Sequence, residues 1–210
     1  MSMAPVQFYF DPACSWTWIT ARWVVDVAEQ RHFDIIWNTF SLRFHNRDNP
    51  GYDRLRASLD DQHHGVRIIE SARERFGNDA VGRLYASFGT LIHHDDDEHL
   101  TRLAEGIASA GLPADLIDAG SDESWDAGIE ASTNAAIALV GQDVGIPIVV
   151  LDGAKSTFFG PVMSPAPTGT EAAALWDAFV ALNAFDGVYE IKRTREVGPQ
   201  FGSRPIMNSN

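Results

Sequence analysis

Between Val6 and Val27 the sequence changes period from strand to helix within a few residues, and the chain's only cysteine, Cys14, stands at the change. Val6-Gln7-Phe8-Tyr9-Phe10 has the aromatic and branched content of a strand. Asp11-Pro12 ends it, because proline fixes φ and donates no N–H. From Ser15 the apolar residues recur at helical spacing, with Ile19, Trp23 and Val27 stacked and Val24 flanking them. Cys14 therefore falls at the first turn of a helix, facing unpaired N–H groups and the positive end of the helix dipole, which favour thiolate. A lone cysteine is more commonly a small buried hydrophobe. The strand, the Asp-Pro turn and the helix onset around this one point instead to a reactive thiol.

Phe33 to Leu42 again has strand character and follows the helix closely enough to complete a right-handed βαβ unit. From about Tyr52 to Gly141 the signals are helical, with breaks near Gly77, Asp95, Gly111-Leu112-Pro113 and Gly120, and no convincing strand. Pro147 to Leu151 is a short apolar strand, Asp152-Gly153 suits a two-residue turn, and Ser156 to Phe159 supplies a returning strand, which together predict a β-hairpin. A last helix from about Thr170 starts with Glu171 in its first turn and carries Ala174, Leu175, Ala178, Phe179 and Leu182 on one face. The order βαβ, helices, ββα is a split α/β core, residues 1–45 and 142–210, around an inserted helical lobe, residues 46–141.

A chain of 210 residues with 45% hydrophobic content suits one compact body. Sixteen Lys plus Arg against 29 Asp plus Glu, a net charge of -13, repels phosphate backbones and anionic headgroups, so neither nucleic acid nor membrane is an expected partner. Met1 to Val6 leads straight into a strand without a secretory leader, and no run is long and apolar enough to span a bilayer, so the expected compartment is the cytoplasm. One cysteine forbids an internal disulfide and argues against structural zinc. The run His93-His94-Asp95-Asp96-Asp97-Glu98-His99 is read as helix capping rather than a metal site, and His63-His64 likewise as no ligand pair, so no metal is expected. Neither a Gly-x-Ser-x-Gly nucleophile elbow nor a glycine-rich phosphate loop occurs. The cluster Lys192-Arg193-Thr194-Arg195 is read as a solvated face.

The segment Phe8-Tyr9-Phe10-Asp11-Pro12-Ala13-Cys14-Ser15-Trp16-Thr17-Trp18 resembles the active-site segment of the DsbA-like thioredoxin superfamily, and is most similar to that of the actinobacterial mycothiol-dependent nitroreductases. Val144-Gly145-Ile146-Pro147 resembles the loop that carries the family's cis-proline. Phe158 to Val162 and the tail from Lys192 to Phe201 resemble further family segments. The resemblance implies an α/β, thioredoxin-like fold with a helical insertion. It also implies Cys14 and Thr17 as catalytic positions, and Ser15, Trp16, Ile146 and Pro147 as positions that contact the substrate or thiol cofactor.

The sequence departs from the family pattern of Cys-Pro-Trp-Cys at two places, with Ser15 at the proline and Thr17 at the second cysteine. Thr17 cannot form a disulfide, so a dithiol cycle is closed to this chain acting alone. A monothiol cycle remains, in which Cys14 forms a mixed disulfide that a second external thiol resolves. Mycothiol is the low-molecular-weight thiol the resemblance implies, with glutathione as the other candidate, and the substrate would be a small electrophile or nitroaromatic. The Thr17 hydroxyl can hydrogen-bond to the thiolate. It can equally be an ordinary first-turn residue. Two other readings stay open: a glutathione-transferase-kappa or isomerase type of activity without redox cycling, and a non-catalytic binding or chaperone-like protein on the same fold. Homodimerisation is left open.

Overall fold

The structure is a computed structural model that describes residues 4–154 and 156–205. Three strands form the sheet in the order β2-β1-β3, with β1 (Val6–Phe10) in the centre. Strand β2 (Ile35–Thr39) runs parallel to β1, pairing Val6 with Ile35 and Phe10 with Thr39. Strand β3 (Ile148–Val150) is antiparallel, pairing Tyr9 with Ile148. Helix α1 (Ser15–Arg31) makes the crossover from β1 to β2, and buries Trp18, Ile19, Trp23, Val24 and Val27. Between β2 and β3 lie the helices α2 (Leu42–His45), α3 (Arg56–Phe76), α4 (Asn78–His94), α5 (Leu103–Ser109) and α6 (Asp126–Val140), with short 3-10 turns between them. The expected helical breaks are physical ones. Gly77 joins α3 to α4 at φ 80°, Asp95 ends α4, and Gly111 follows α5 at φ 66°.

Two expectations are corrected. The strand expected at Ser156–Phe159 does not form among the described residues, so there is no hairpin. Only an isolated parallel bridge joins Ile148 to Gly160. The acceptors that a returning strand would use are already taken: the Thr157 hydroxyl donates to the Val149 carbonyl at 2.7 Å, and the Gly160 N–H to that of Pro147 at 2.8 Å. Pro161 then follows with no N–H to extend a ladder. The final helix, α7 (Gly169–Asn183), forms where expected but is rotated: it buries Ala172, Trp176 and Phe179, leaving Ala174 and Ala178 exposed. The large ring of Trp176 sets the buried face, stacking on Phe33 at 4.8 Å and packing beside Trp23 at 5.6 Å.

An aromatic cluster supports the carboxyl end of β1. Phe10 stacks on Tyr85 of α4 at 4.0 Å, Trp37 meets Phe10 edge-on at 5.9 Å, and Trp18 meets Tyr85 edge-on at 5.6 Å. Such ring pairs contribute about 0.5–1.5 kcal/mol each beyond the area they bury. Helix α4 comes this close because residue 89 is glycine: a Cβ there would stand 2.2 Å from the Trp18 ring. Trp18 is thus wholly core, and the thiol-bearing end of α1 rests on a rigid aromatic floor.

Candidate functional site

Cys14 is the N-cap of α1, in extended conformation (φ -82°, ψ 104°), and is half-buried. Asp11 ties down the loop that presents it. The Cys14 N–H donates to the Asp11 carbonyl at 3.0 Å, while the Asp11 carboxylate accepts the N–H of Ala13 at 2.9 Å and that of Leu42, the first residue of α2, at 2.7 Å. One buried side chain therefore joins the end of β1 to the start of α2. On the other flank, His93 Nε2 donates to the Pro12 carbonyl at 2.9 Å. Burial pushes the His93 pKa down to about 4, so at neutral pH the ring is uncharged and its Nε2 proton is held by this bond.

The thiol is not held as thiolate. Burial pushes the Cys14 thiol up and the nearby Asp11 carboxylate adds to the rise, whereas the Thr17 hydroxyl and the N–H groups of Thr17 and Trp16 pull the other way without cancelling it. This corrects the expectation drawn from the helix start alone. Peptide dipoles favour the charge, but removing the sulfur from water costs more here. Asp11 is itself raised to about 6 by burial, against the pull of its two N–H partners. The Thr17 hydroxyl is fully buried and turned toward the sulfur short of ordinary hydrogen-bond geometry, and it has no other partner.

The remaining candidates lie around this centre. Ser15 opens α1, half-buried, with no side-chain hydrogen bond among the described residues. Trp16 is half-buried, and the Arg195 guanidinium lies 4.8 Å from its ring centroid. The Ile146–Pro147 bond is cis. Ile146 belongs to the buried cluster of Tyr9, Phe40, Ala136, Ile148 and Val150, against which Cys14 also packs. The structure thus sets Thr17 against Cys14 and packs Cys14 on the cluster that contains Ile146, the residue before Pro147.

Several residues at the site were not legible beforehand. Asp11 and His93 clamp the loop, and behind it lie the half-buried Arg22, its guanidinium 4.2 Å from the Trp18 ring centroid, and the buried Tyr85, with the Arg22 Nε and the Tyr85 hydroxyl unpartnered. The tail cluster is exposed as expected, yet Arg195 covers Trp16. Further along, Phe201 packs on His93 at 5.1 Å and on His94 at 5.8 Å, and Arg204 makes a two-pronged ion pair with Asp95 at 2.8 Å. The histidine-rich run is occupied with structural tasks. His94 accepts the Trp18 indole N–H at 3.2 Å, Asp97 accepts the N–H groups of Thr101 and Arg102 before α5, and His99 meets Asp61 at 2.6 Å. His63 and Arg67 both bind Asp126, and His64 meets the Gly120 carbonyl. Among the described residues no group of three or more His, Cys, Asp or Glu is arranged to hold a metal, and no helix is long and apolar enough to cross a membrane.

A family model described as Rv2466c-like, mycothiol-dependent nitroreductase Rv2466c, matches residues 13–193. An uncharacterized protein of Mycobacterium tuberculosis, Rv2286c, is 28% identical over 202 residues, covering 92% of this chain and 83% of that protein. Two crystal structures share the fold. One, described as a DsbA oxidoreductase from Streptomyces coelicolor, has a TM-score of 0.54 at 20% identity over 93% of this chain and 96% of its own. The other, described as a protein disulfide isomerase from Nitrosomonas europaea, has a TM-score of 0.55 at 12% identity, covering 87% of this chain and 99% of its own. The small sheet with its helical insertion is accordingly a DsbA-like, mixed α/β fold.

Proposed function

Because the chain belongs to the Rv2466c-like family of mycothiol-dependent nitroreductases, we propose that it is a cytoplasmic monothiol oxidoreductase that works through Cys14 and mycothiol. The observation that carries this reading is a single thiol at the head of α1, beside the cis Ile146–Pro147 loop, with Thr17 where a resolving thiol would stand. In the first half-reaction Cys14 and one mycothiol each give up a thiol proton and one electron to the substrate and join through an S–S bond. For a nitroaromatic, this two-electron reduction yields the nitroso compound and water. A second mycothiol then attacks the mixed disulfide, taking the first as mycothiol disulfide and returning Cys14 as the thiol. Two mycothiols are oxidised for each substrate reduced by two electrons, and no second protein cysteine is needed. Trp16, covered by Arg195, would form the aromatic wall for the electrophile, with the lobe of residues 46–141 closing the site opposite the thioredoxin-like half, residues 1–45 and 142–210.

A second reading is favoured by the raised Cys14 thiol together with the hydroxyls of Ser15 and Thr17. In it these groups stabilise the thiolate of a bound mycothiol or glutathione, and Cys14 forms no covalent bond. Intact-mass analysis after incubation with mycothiol disulfide, paired with turnover of Cys14→Ser, separates the two. The monothiol cycle requires an adduct of one mycothiol on Cys14 and loss of turnover in the variant, whereas persistence of turnover in Cys14→Ser refutes it. Absence of both adduct and turnover, with mycothiol and with glutathione, refutes both enzyme readings and supports a binding protein.

A further inference from the structure

The carboxyl ends of β1 and β2 and the amino end of β3 meet at one edge of the sheet, where α/β proteins commonly bind ligands. At that edge the chain leaves β2 into α2, whose first N–H is held by Asp11 beside the thiol. The last residue of α2, His45, faces the proline loop: a Cβ built on Gly145, two residues before Pro147, would stand 3.7 Å from the His45 ring. Past His45 opens a cavity of about 250 Å³ between the end of α2 and α6, lined among others by Arg47, Asp48, Glu130, Asn134 and Gln142.

The lining mixes the apolar Phe44 and Ile137 with polar groups, of which the Thr133 hydroxyl is already bonded to Ser41 and Ile129. Asn134 and Gln142 make no side-chain hydrogen bond among the described residues, and neither does His45, although it is half-buried. Burial lowers the His45 pKa, so the ring presents one donor and one acceptor at neutral pH. Arg47 pairs with Glu130 at 2.7 Å and approaches Asp48 at 3.9 Å, leaving no surplus positive charge for a carboxylate or phosphate. Neutral donors and acceptors around a small concavity suit a ring bearing several hydroxyls. Whole small-molecule sites run to roughly 300–1,000 Å³, so this volume accepts part of a cosubstrate rather than the whole of one.

We infer that this cavity is the subsite for the sugar–cyclitol half of the thiol cosubstrate, whose hydroxyls bind His45, Asn134 and Gln142 while its sulfur reaches Cys14 past Gly145 and Pro147. The assignment rests on the mycothiol reading above. It also separates mycothiol from glutathione, whose charged ends find no cationic partner in the cavity.

The test uses the full chain and N-acetylglucosaminyl-inositol, a neutral, thiol-free probe. Saturable shifts of the Asn134 and Gln142 side-chain amide signals are expected, with binding weakened at least tenfold in Asn134→Leu/Gln142→Leu. The same variant should form the mycothiol adduct at Cys14 more slowly, while reacting unchanged with the disulfide of N-acetylcysteine. Both positions are exposed, and an unchanged thermal midpoint checks that the fold survives. A normal mycothiol adduct at Cys14 with no saturable probe binding overturns the subsite and leaves the proposed function standing. Saturable binding without any adduct at Cys14 overturns the thiol chemistry and leaves the subsite.

Discussion

Valine in place of Thr17 keeps the shape of the side chain and removes one hydroxyl from a fully buried position. That hydroxyl faces the Cys14 sulfur and has no other partner, so its loss acts on two states with opposite signs. In the thiolate state a hydrogen bond to a charged group is lost, worth about 1.5–3 kcal/mol, and the thiolate fraction at a fixed pH below the thiol pKa falls roughly 10- to 100-fold. In the resting thiol state a poorly paired buried hydroxyl is replaced by a methyl, which relieves a desolvation cost of about 1–3 kcal/mol. Thr17→Val should therefore be more stable than the natural chain and less reactive. Iodoacetamide alkylation of Cys14 across a pH series reads the first effect, and urea unfolding of the same samples reads the second. The expected record is a profile displaced to higher pH with an unchanged plateau rate, together with a raised urea midpoint. Thr17→Ser, which keeps the hydroxyl, should leave the profile in place. An undisplaced profile in Thr17→Val refutes a role in ionisation and makes Thr17 an ordinary first-turn residue.

Asp11 and His93 should drive the stability of the chain in opposite directions over the same pH range. The Asp11 pKa is raised on folding to about 6, so its contribution is full below about pH 4 and is lost as pH rises to 6, on the order of 3 kcal/mol in all. The His93 pKa is lowered on folding to about 4, so stability falls by a similar amount, on the order of 3 kcal/mol, as pH drops from 6.5 to 4. In denaturant titrations from pH 4 to 7 these two slopes should nearly cancel in the natural chain. Relative to the natural chain, Asp11→Asn should gain stability with rising pH and His93→Gln should lose it, and parallel curves for all three proteins would contradict the assignment. Gly89→Ala places a methyl 2.2 Å from the Trp18 ring and should cost about 1–3 kcal/mol in urea unfolding, an unchanged midpoint showing that α4 stands off from α1. Arg195→Ala removes an exposed cation–π contact worth about 0.5–1 kcal/mol, so KM for a nitroaromatic should rise roughly 2- to 5-fold with kcat unchanged. An unchanged KM would remove Arg195 from the substrate wall.

Much of the scaffold was legible because it depends on local periodicity. The alternation of strand and helix around Cys14, the glycine at position 77 and the stop at Asp95 each act within a few residues, so the position of the thiol at the head of α1 could be read directly. Where a long-range partner intervened, the reading failed or was incomplete. Ser156–Phe159 has strand composition, but the carbonyls it would pair with are taken by the Thr157 hydroxyl and the Gly160 N–H. The buried face of α7 turns toward Trp23 and Phe33, on which the Trp176 ring packs. Spacing along the chain does not link Asp11 to Leu42, His93 to Pro12 or Arg195 to Trp16, since each pair meets only through the packing of separate elements. The ionisation of Cys14 shows the difference most clearly. The helix start that favours the charge is a local property, but the desolvation that outweighs it comes from everything folded around the sulfur.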